Sequence, residues 1–140
     1  ALGDRAILLG QRADIPGLVR AADAFLFCSM TEGLPNAVLE SMAAGLPIAA
    51  TNVPGCRDLV HDGRTGLLVP YGDAAAAARA VLSLLDDPER AARLGSAARA
   101  WVTEHAGVSQ LATRWERLYA ALAGDPRDGS SVSTAGRPAT

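Results

Sequence analysis

Lysine is absent from this chain of 140 residues: all 13 basic residues are Arg. Chemistry that needs a lysine amine from this chain, such as a Schiff base, is therefore closed to it. Aromatic residues make up only 4%, so the core has to be aliphatic. Cysteine and histidine number two each. Cys28 and Cys56 lack the close spacing of a metal or redox motif and are expected to be reduced. The small apolar neighbours of Cys28 favour a buried thiol. His61, in a polar turn, and His105, at a helix end, are isolated and expected to be solvated. No apolar run approaches the length of about 18 residues that suggests a membrane span. The 15 acidic and 13 basic residues nearly cancel. No dense basic face marks a nucleic-acid partner. A Gly-x-Gly-x-x-Gly turn after a strand is also missing, which argues against a generic dinucleotide-cofactor domain.

What is present is an apolar fraction of 49%, enough for a packed domain rather than a disordered chain. Short apolar runs alternate with helical patterns. Ala6-Ile7-Leu8-Leu9-Gly10 reads as a strand. A helix from about Ile15 to Ala22 follows, with Asp14 as N-cap and Pro16 in the first turn. Ala24 to Cys28 is a second strand, followed by a helix that Gly45 ends near Ala44. Pro47 to Thr51 is a third strand and Gly66 to Pro70 a fourth, with a short helix around Arg57 to Val60 between them. Continuous apolar strands separated by helices imply a parallel sheet covered on both faces. The fold class is thus α/β, a partial doubly wound, Rossmann-like sheet of about four strands, followed by C-terminal helices. Those helices run from Asp73 to Leu85, from Asp87-Pro88 through Leu94, Ala98 and Trp101, and from Val108 to Leu122. Their apolar residues recur at the helical period expected of core-facing stripes. Residues 1–123 form the domain. Residues 124–140 lose periodicity and are expected to be a disordered tail.

The stretch Glu32-Gly33-Leu34-Pro35-Asn36-Ala37-Val38-Leu39-Glu40 carries the chemistry. In open α/β sheets, ligands bind beyond the carboxyl ends of the strands, and this stretch follows the second strand at once. The helix starting near Pro35 presents unpaired N–H groups and roughly half a positive charge, which suits phosphate without any basic side chain. Gly33 lets backbone approach a ligand, and Asn36 offers both a donor and an acceptor. Glu32 and Glu40 supply carboxylates for hydroxyl groups, each such bond contributing roughly 1.5–3 kcal/mol. Taken singly, each glutamate reads as a helix-end or solvated charge. The spacing, the Gly-Leu-Pro-Asn between them and the preceding buried strand together make the sharper case.

With these residues in view, the chain resembles the carboxyl-terminal, nucleotide-sugar-binding domain of the retaining GT-B glycosyltransferases, glycosyltransferase group 1 or family 4. The matching text runs from Ile7 to about Leu122. It includes Glu32 to Asn36, Leu39-Glu40-Ser41-Met42-Ala43-Ala44-Gly45-Leu46-Pro47, Pro54-Gly55-Cys56-Arg57-Asp58 and Gly66 to Pro70. The resemblance implies that Glu32 holds hydroxyls of the transferred sugar. It assigns Gly33, Leu34, Asn36 and Ala37 to sugar oxygens and diphosphate, and Glu40 to the ribose. The loop containing Gly10 and Arg12 matches the family's base-binding region, with Arg12 as a stacking partner. The implied donor is a UDP- or GDP-sugar, the acceptor a glycan or a lipid-linked molecule, and no metal or other cofactor is expected.

The departures from the family pattern are equally informative. Two earlier strands, with a Gly-rich loop and an Arg and Lys that neutralise the donor diphosphate, are absent, as is the N-terminal acceptor domain. The chain is therefore expected to be part of an incomplete enzyme, inactive alone, with apolar sheet surface, strand edges and Trp115 or Tyr119 exposed. The Val53 to Asp58 run resembles bacterial members that build polysaccharides or lipid-linked glycans. The expected location is cytoplasmic, with the inner face of the membrane reached through the absent domain. The alternative is a truncated, non-catalytic remnant that binds a nucleotide or a partner chain.

Overall fold

A computed structural model describes residues 3–123. The expected tail, 124–140, lies outside the described residues. Two compact units divide the chain after Thr103.

The first unit is built on three parallel strands in the order β1 (Phe25–Phe27), β2 (Ile48–Thr51) and β3 (Leu67–Val69). Helices α1 (Ile15–Ala21), α2 (Asn36–Ala44), α3 (Pro54–Leu59) and α4 (Ala74–Leu85) separate or follow them, and α5 (Pro88–His105) comes next. The register sets Phe25 beside Ile48 and Phe27 beside Ala50, with Ala49 beside Leu67. Because side chains alternate across a sheet, Phe25, Phe27, Ile48 and Ala50 share one face. They pack against Val38 and Met42 of α2, Cys56 and Leu59 of α3, and Ala98 of α5. On the other face, Ala49 and Leu67 meet Leu84 of α4 and Ala91 and Leu94 of α5. All four residues of the central strand β2 are buried. This double cover explains why the strand reads as an unbroken apolar run.

Local chemistry sets the helix ends. Gly45 closes α2 at φ 77°, and its N–H donates to Met42 O while Leu46 N–H donates to Ser41 O. That left-handed turn is open to glycine at no steric cost. It also brings the Gly45 carbonyl against Gly95 of α5, where a Cβ would overlap it. Asp73 Oδ1 accepts from Ala76 N–H at 2.8 Å and caps α4, as its position before an Ala-rich helix predicts. Asp87 does the same for α5 through Arg90 N–H.

Four expectations are corrected. Ala6–Gly10 forms no strand; Ile7 is 77% and Leu8 98% exposed. A strand needs a ladder partner for its backbone groups, and the described sheet ends at β1, so the count is three strands rather than about four. Cys28 is exposed, not buried. It follows an edge strand, on the face that α4 and α5 cover mainly over β2 and β3, where Leu26 is also 43% exposed. The short helix begins at Pro54, earlier than Arg57, because Pro54 suits the first helical position. His61 is partly buried, its ring edge-on to Trp101 at 5.3 Å between centroids.

Among the described residues of the second unit, α6 (Val108–Leu122) is the one complete element. None of its residues is buried, and Trp115 and Tyr119 stack at 5.8 Å between centroids. The expected exposure of those two rings is what the structure shows.

Candidate functional site

The Glu32 loop leaves the carboxyl end of β1, and α3 leaves the carboxyl end of β2 beside it. This is the edge at which open parallel sheets hold ligands. The loop is tied down by its backbone. Thr51, the last residue of β2, accepts from Ser29 N–H at 3.0 Å and donates its hydroxyl to Ser29 O at 2.8 Å. Ser29 in turn donates its hydroxyl to Thr31 O at 3.0 Å. Gly55 N–H, at the start of α3, donates to Glu32 O at 3.2 Å. Glu32 is half-buried and Gly33 and Leu34 are exposed.

Helix α2 starts as its sequence suggests, with Pro35 at the N-cap and no side-chain cap. Val38 and Leu39 N–H both donate to Pro35 O, at 3.0 and 3.2 Å. Asn36 and Ala37, the first two helical residues, carry N–H groups that have no intrahelical acceptor. Glu40 lies one turn further along and is exposed, about 6 Å up the axis from Asn36 at the helical rise. No hydrogen bond or ion pair ties the carboxylate of Glu32 or Glu40 to another described residue. The segment thus presents two unengaged carboxylates and a helix mouth between them. Carboxylates accept from hydroxyls, and the mouth donates to an anion.

Glu40 also lines a groove of about 370 Å³ between α1, α2 and α5. Its lining is mostly apolar, from Ile15, Pro16, Val19, Ala43 and Ala44, joined by Arg20 and Arg99. Arg12 lies on the loop before α1. Its guanidinium grips Asp14 through Nε at 2.8 Å and Nη2 at 2.6 Å. The pair raises the Arg12 pKa and lowers that of Asp14, each through the other's hydrogen bond. Asp14 occupies the N-cap of α1 but spends its side chain on Arg12 rather than on a helix N–H. Gly10 adopts φ 64° in the same loop.

Sequence reasoning missed Thr51 and Gly55 as supports of the Glu32 loop. Cys56 is fully buried, its thiol pKa pushed up first by that burial, then by the charge of Glu32, against a hydrogen bond with Thr51. A Thr ending an apolar strand and a Gly after Pro at a helix start are signals of close backbone approach, but neither names its partner. Among the described residues, no group of three or more His, Cys, Asp or Glu side chains is arranged to hold a metal ion.

Fold and site together define an α/β domain of the Rossmann-like type, with two carboxylates and a helix N-terminus beyond the carboxyl edge of its parallel sheet. The family is more specific: the chain belongs to the glycosyl transferases group 1, whose family model matches residues 1–87. It is 30% identical over 126 residues to N-acetyl-alpha-D-glucosaminyl L-malate synthase of Bacillus anthracis, a match covering 90% of this chain and 33% of that protein. It is 37% identical over 86 residues to the Escherichia coli UDP-Gal:alpha-D-GlcNAc-diphosphoundecaprenol alpha-1,3-galactosyltransferase, covering 61% of this chain and 22% of that one. Among solved structures, Anabaena Alr3699/HepE in complex with UDP and glucose superposes with a TM-score of 0.82 at 28% identity. That match covers 85% of this chain and 33% of the Anabaena chain. The chain spans a third or less of the length of these relatives.

Proposed function

We propose that this chain is the donor-binding part of a retaining glycosyltransferase. The enzyme moves a sugar from a nucleoside diphosphate sugar to an acceptor hydroxyl in bacterial polysaccharide or lipid-linked glycan synthesis. The observation that carries this reading is the Glu32–Glu40 segment. Two unengaged carboxylates flank the free N–H groups of Asn36 and Ala37 at the carboxyl edge of a parallel sheet. A sugar, a diphosphate and a ribose need those three kinds of group in that order. Glu32 accepts from hydroxyls of the transferred sugar. Gly33, Leu34, Asn36 and Ala37 offer main-chain N–H groups to sugar oxygens and diphosphate. Glu40 takes the ribose, and the loop of Gly10 and Arg12 borders the base.

The reaction breaks the bond between the anomeric carbon and the diphosphate oxygen, and the acceptor hydroxyl attacks from the same face. Glu32 acts as a positioning and electrostatic group, and stabilisation of the leaving diphosphate is the main catalytic contribution. This chain contributes the helix mouth to that stabilisation. It holds no lysine, so any lysine that neutralises the diphosphate comes from outside this segment, and the segment alone is inactive. The relatives support the donor and acceptor classes. Alr3699/HepE is held with UDP and glucose, and the E. coli relative is named for a lipid diphosphate acceptor. We propose a cytoplasmic location for the enzyme, at the inner face of the membrane through the acceptor domain that the family pattern implies.

Titration of the intact protein with UDP, GDP and their sugar conjugates tests the reading; binding by none of them removes it. In the intact enzyme, Glu32→Ala should lower turnover at least about 100-fold if the carboxylate acts like other preorganised stabilisers. Unchanged turnover would remove Glu32 from that role. The reading includes no metal, so chelation with EDTA leaves transfer at its original rate.

A further inference from the structure

The loop that carries Glu32 is held by residues of another strand and another helix. The β1–β2 ladder ends where Phe27 lies beside Ala50. One step further, the Thr51 hydroxyl takes over, bonding both the N–H and the C=O of Ser29. Thr51 is only 4% exposed, so those two bonds are shielded from water, and losing them would strand backbone groups. Gly55 supplies the second hold. Its N–H bonds Glu32 O, and a Cβ at Gly55 would lie 2.6 Å from Gly33 O and 2.7 Å from Glu32 O. The loop backbone therefore rests directly on α3, and only glycine allows that approach. These holds act through main-chain atoms, which leaves the Glu32 carboxylate itself unengaged.

We propose that Thr51 and Gly55 are positioning residues for Glu32: the Thr51 hydroxyl fixes the loop's entry at Ser29, and Gly55 fixes its backbone at Glu32. Neither residue touches the donor. Each acts by setting where the Glu32 carboxylate stands when the sugar arrives. This inference rests on the donor-site reading above.

The predicted signature is selective loss of the sugar's contribution to binding. Affinities of the intact protein for UDP against UDP-glucose, and for GDP against GDP-mannose, give that contribution as a ratio. Thr51→Val keeps the side-chain shape but removes both bonds, and the ratio for the preferred pair should fall by about tenfold or more, as for loss of a carboxylate–hydroxyl bond. Affinity for the bare nucleotide stays within about twofold, because the helix mouth and Glu40 are untouched. Thr51→Ser restores the hydroxyl and the ratio. Gly55→Ala reproduces the Thr51→Val loss. A ratio in Thr51→Val equal to that of the parent overturns the proposal, as does failure of Thr51→Ser to restore it.

Backbone amide exchange supplies an arm that needs no ligand. Exchange at Ser29 and Gly55 should quicken in Thr51→Val and return in Thr51→Ser; unchanged exchange in Thr51→Val also overturns the proposal. If the parent binds no nucleotide, the donor reading fails, and the exchange arm still decides whether Thr51 holds the loop.

Discussion

Ile7-Leu8-Leu9 and Ile48-Ala49-Ala50 are nearly interchangeable as text: three aliphatic residues ahead of a turn. In the fold they are opposites. Ile48, Ala49 and Ala50 are fully buried in the central strand, whereas Ile7, Leu8 and Leu9 are exposed and form no strand. The difference lies in what stands alongside. β2 has β1 on one edge, β3 on the other and helices on both faces. The Ile7 run has no ladder partner among the described residues. An apolar run is thus a demand for partners, and whether it becomes a strand is decided by elements distant in sequence.

The largest effect that would break this comparison is a pair of truncations. Ile48→Ala should cost about 2–5 kcal/mol, since it deletes methylenes from a site closed on every side. Ile7→Ala should stay within about 0.5 kcal/mol, as surface changes away from special features do. Urea unfolding of the two variants measures both. Similar losses would mean that the Ile7 run is buried in solution and that the contrast is false.

A second contrast opposes two aspartates read alike from sequence, Asp14 and Asp73. Both precede helices, but only Asp73 accepts a helix N–H. Asp73→Ala should cost about 1 kcal/mol. Asp14→Ala should cost less, because it releases an exposed pair with Arg12, and such pairs contribute little. Thermal melts of both variants test the order, and an equal loss at the two positions would show that Asp14 caps after all.

These contrasts also explain what was legible in the sequence. Most helix positions were, because their causes are local: the aliphatic spacing of α4, the Gly45 stop and the Asp73 cap all act within a few residues, whereas α3 starts at Pro54, earlier than expected. So was the loop-then-helix geometry of the Glu32–Glu40 segment, whose glycine and proline are contiguous with the helix start. The exposure of Cys28 and the absence of the Ile7 strand were not, since each depends on what lies across the sheet edge. The supports of the Glu32 loop were hidden for the same reason. Thr51 reaches back over the strand crossover to Ser29, and no periodicity records a bond of that kind.

The two cysteines sharpen the comparison by the smallest effect. Cys28 follows the edge strand and is exposed; Cys56 lies in α3, fully buried in the core with Val38, Met42 and Ile48. A thiol reagent should modify one cysteine in the native protein and both in denaturant, with peptide mapping placing the first label on Cys28. Cys56 also carries a pH signature. Its pKa is raised by burial and by Glu32, so the folded state holds that proton more tightly than the unfolded chain does. The resulting stabilisation is complete below the unfolded thiol value of about 8.5. It is lost as pH rises through the higher, folded value. Stability should therefore decline from about pH 8.5 upward, and Cys56→Ala should lower the overall level by leaving a small void while flattening that decline. The slope, not the level, is diagnostic, because void formation is independent of pH. A decline equally steep in Cys56→Ala would assign the alkaline loss to other groups. Native labelling of Cys56 at the rate of Cys28 would show that the core around α3 opens freely, which would erase the distinction between that core and the open β1 edge.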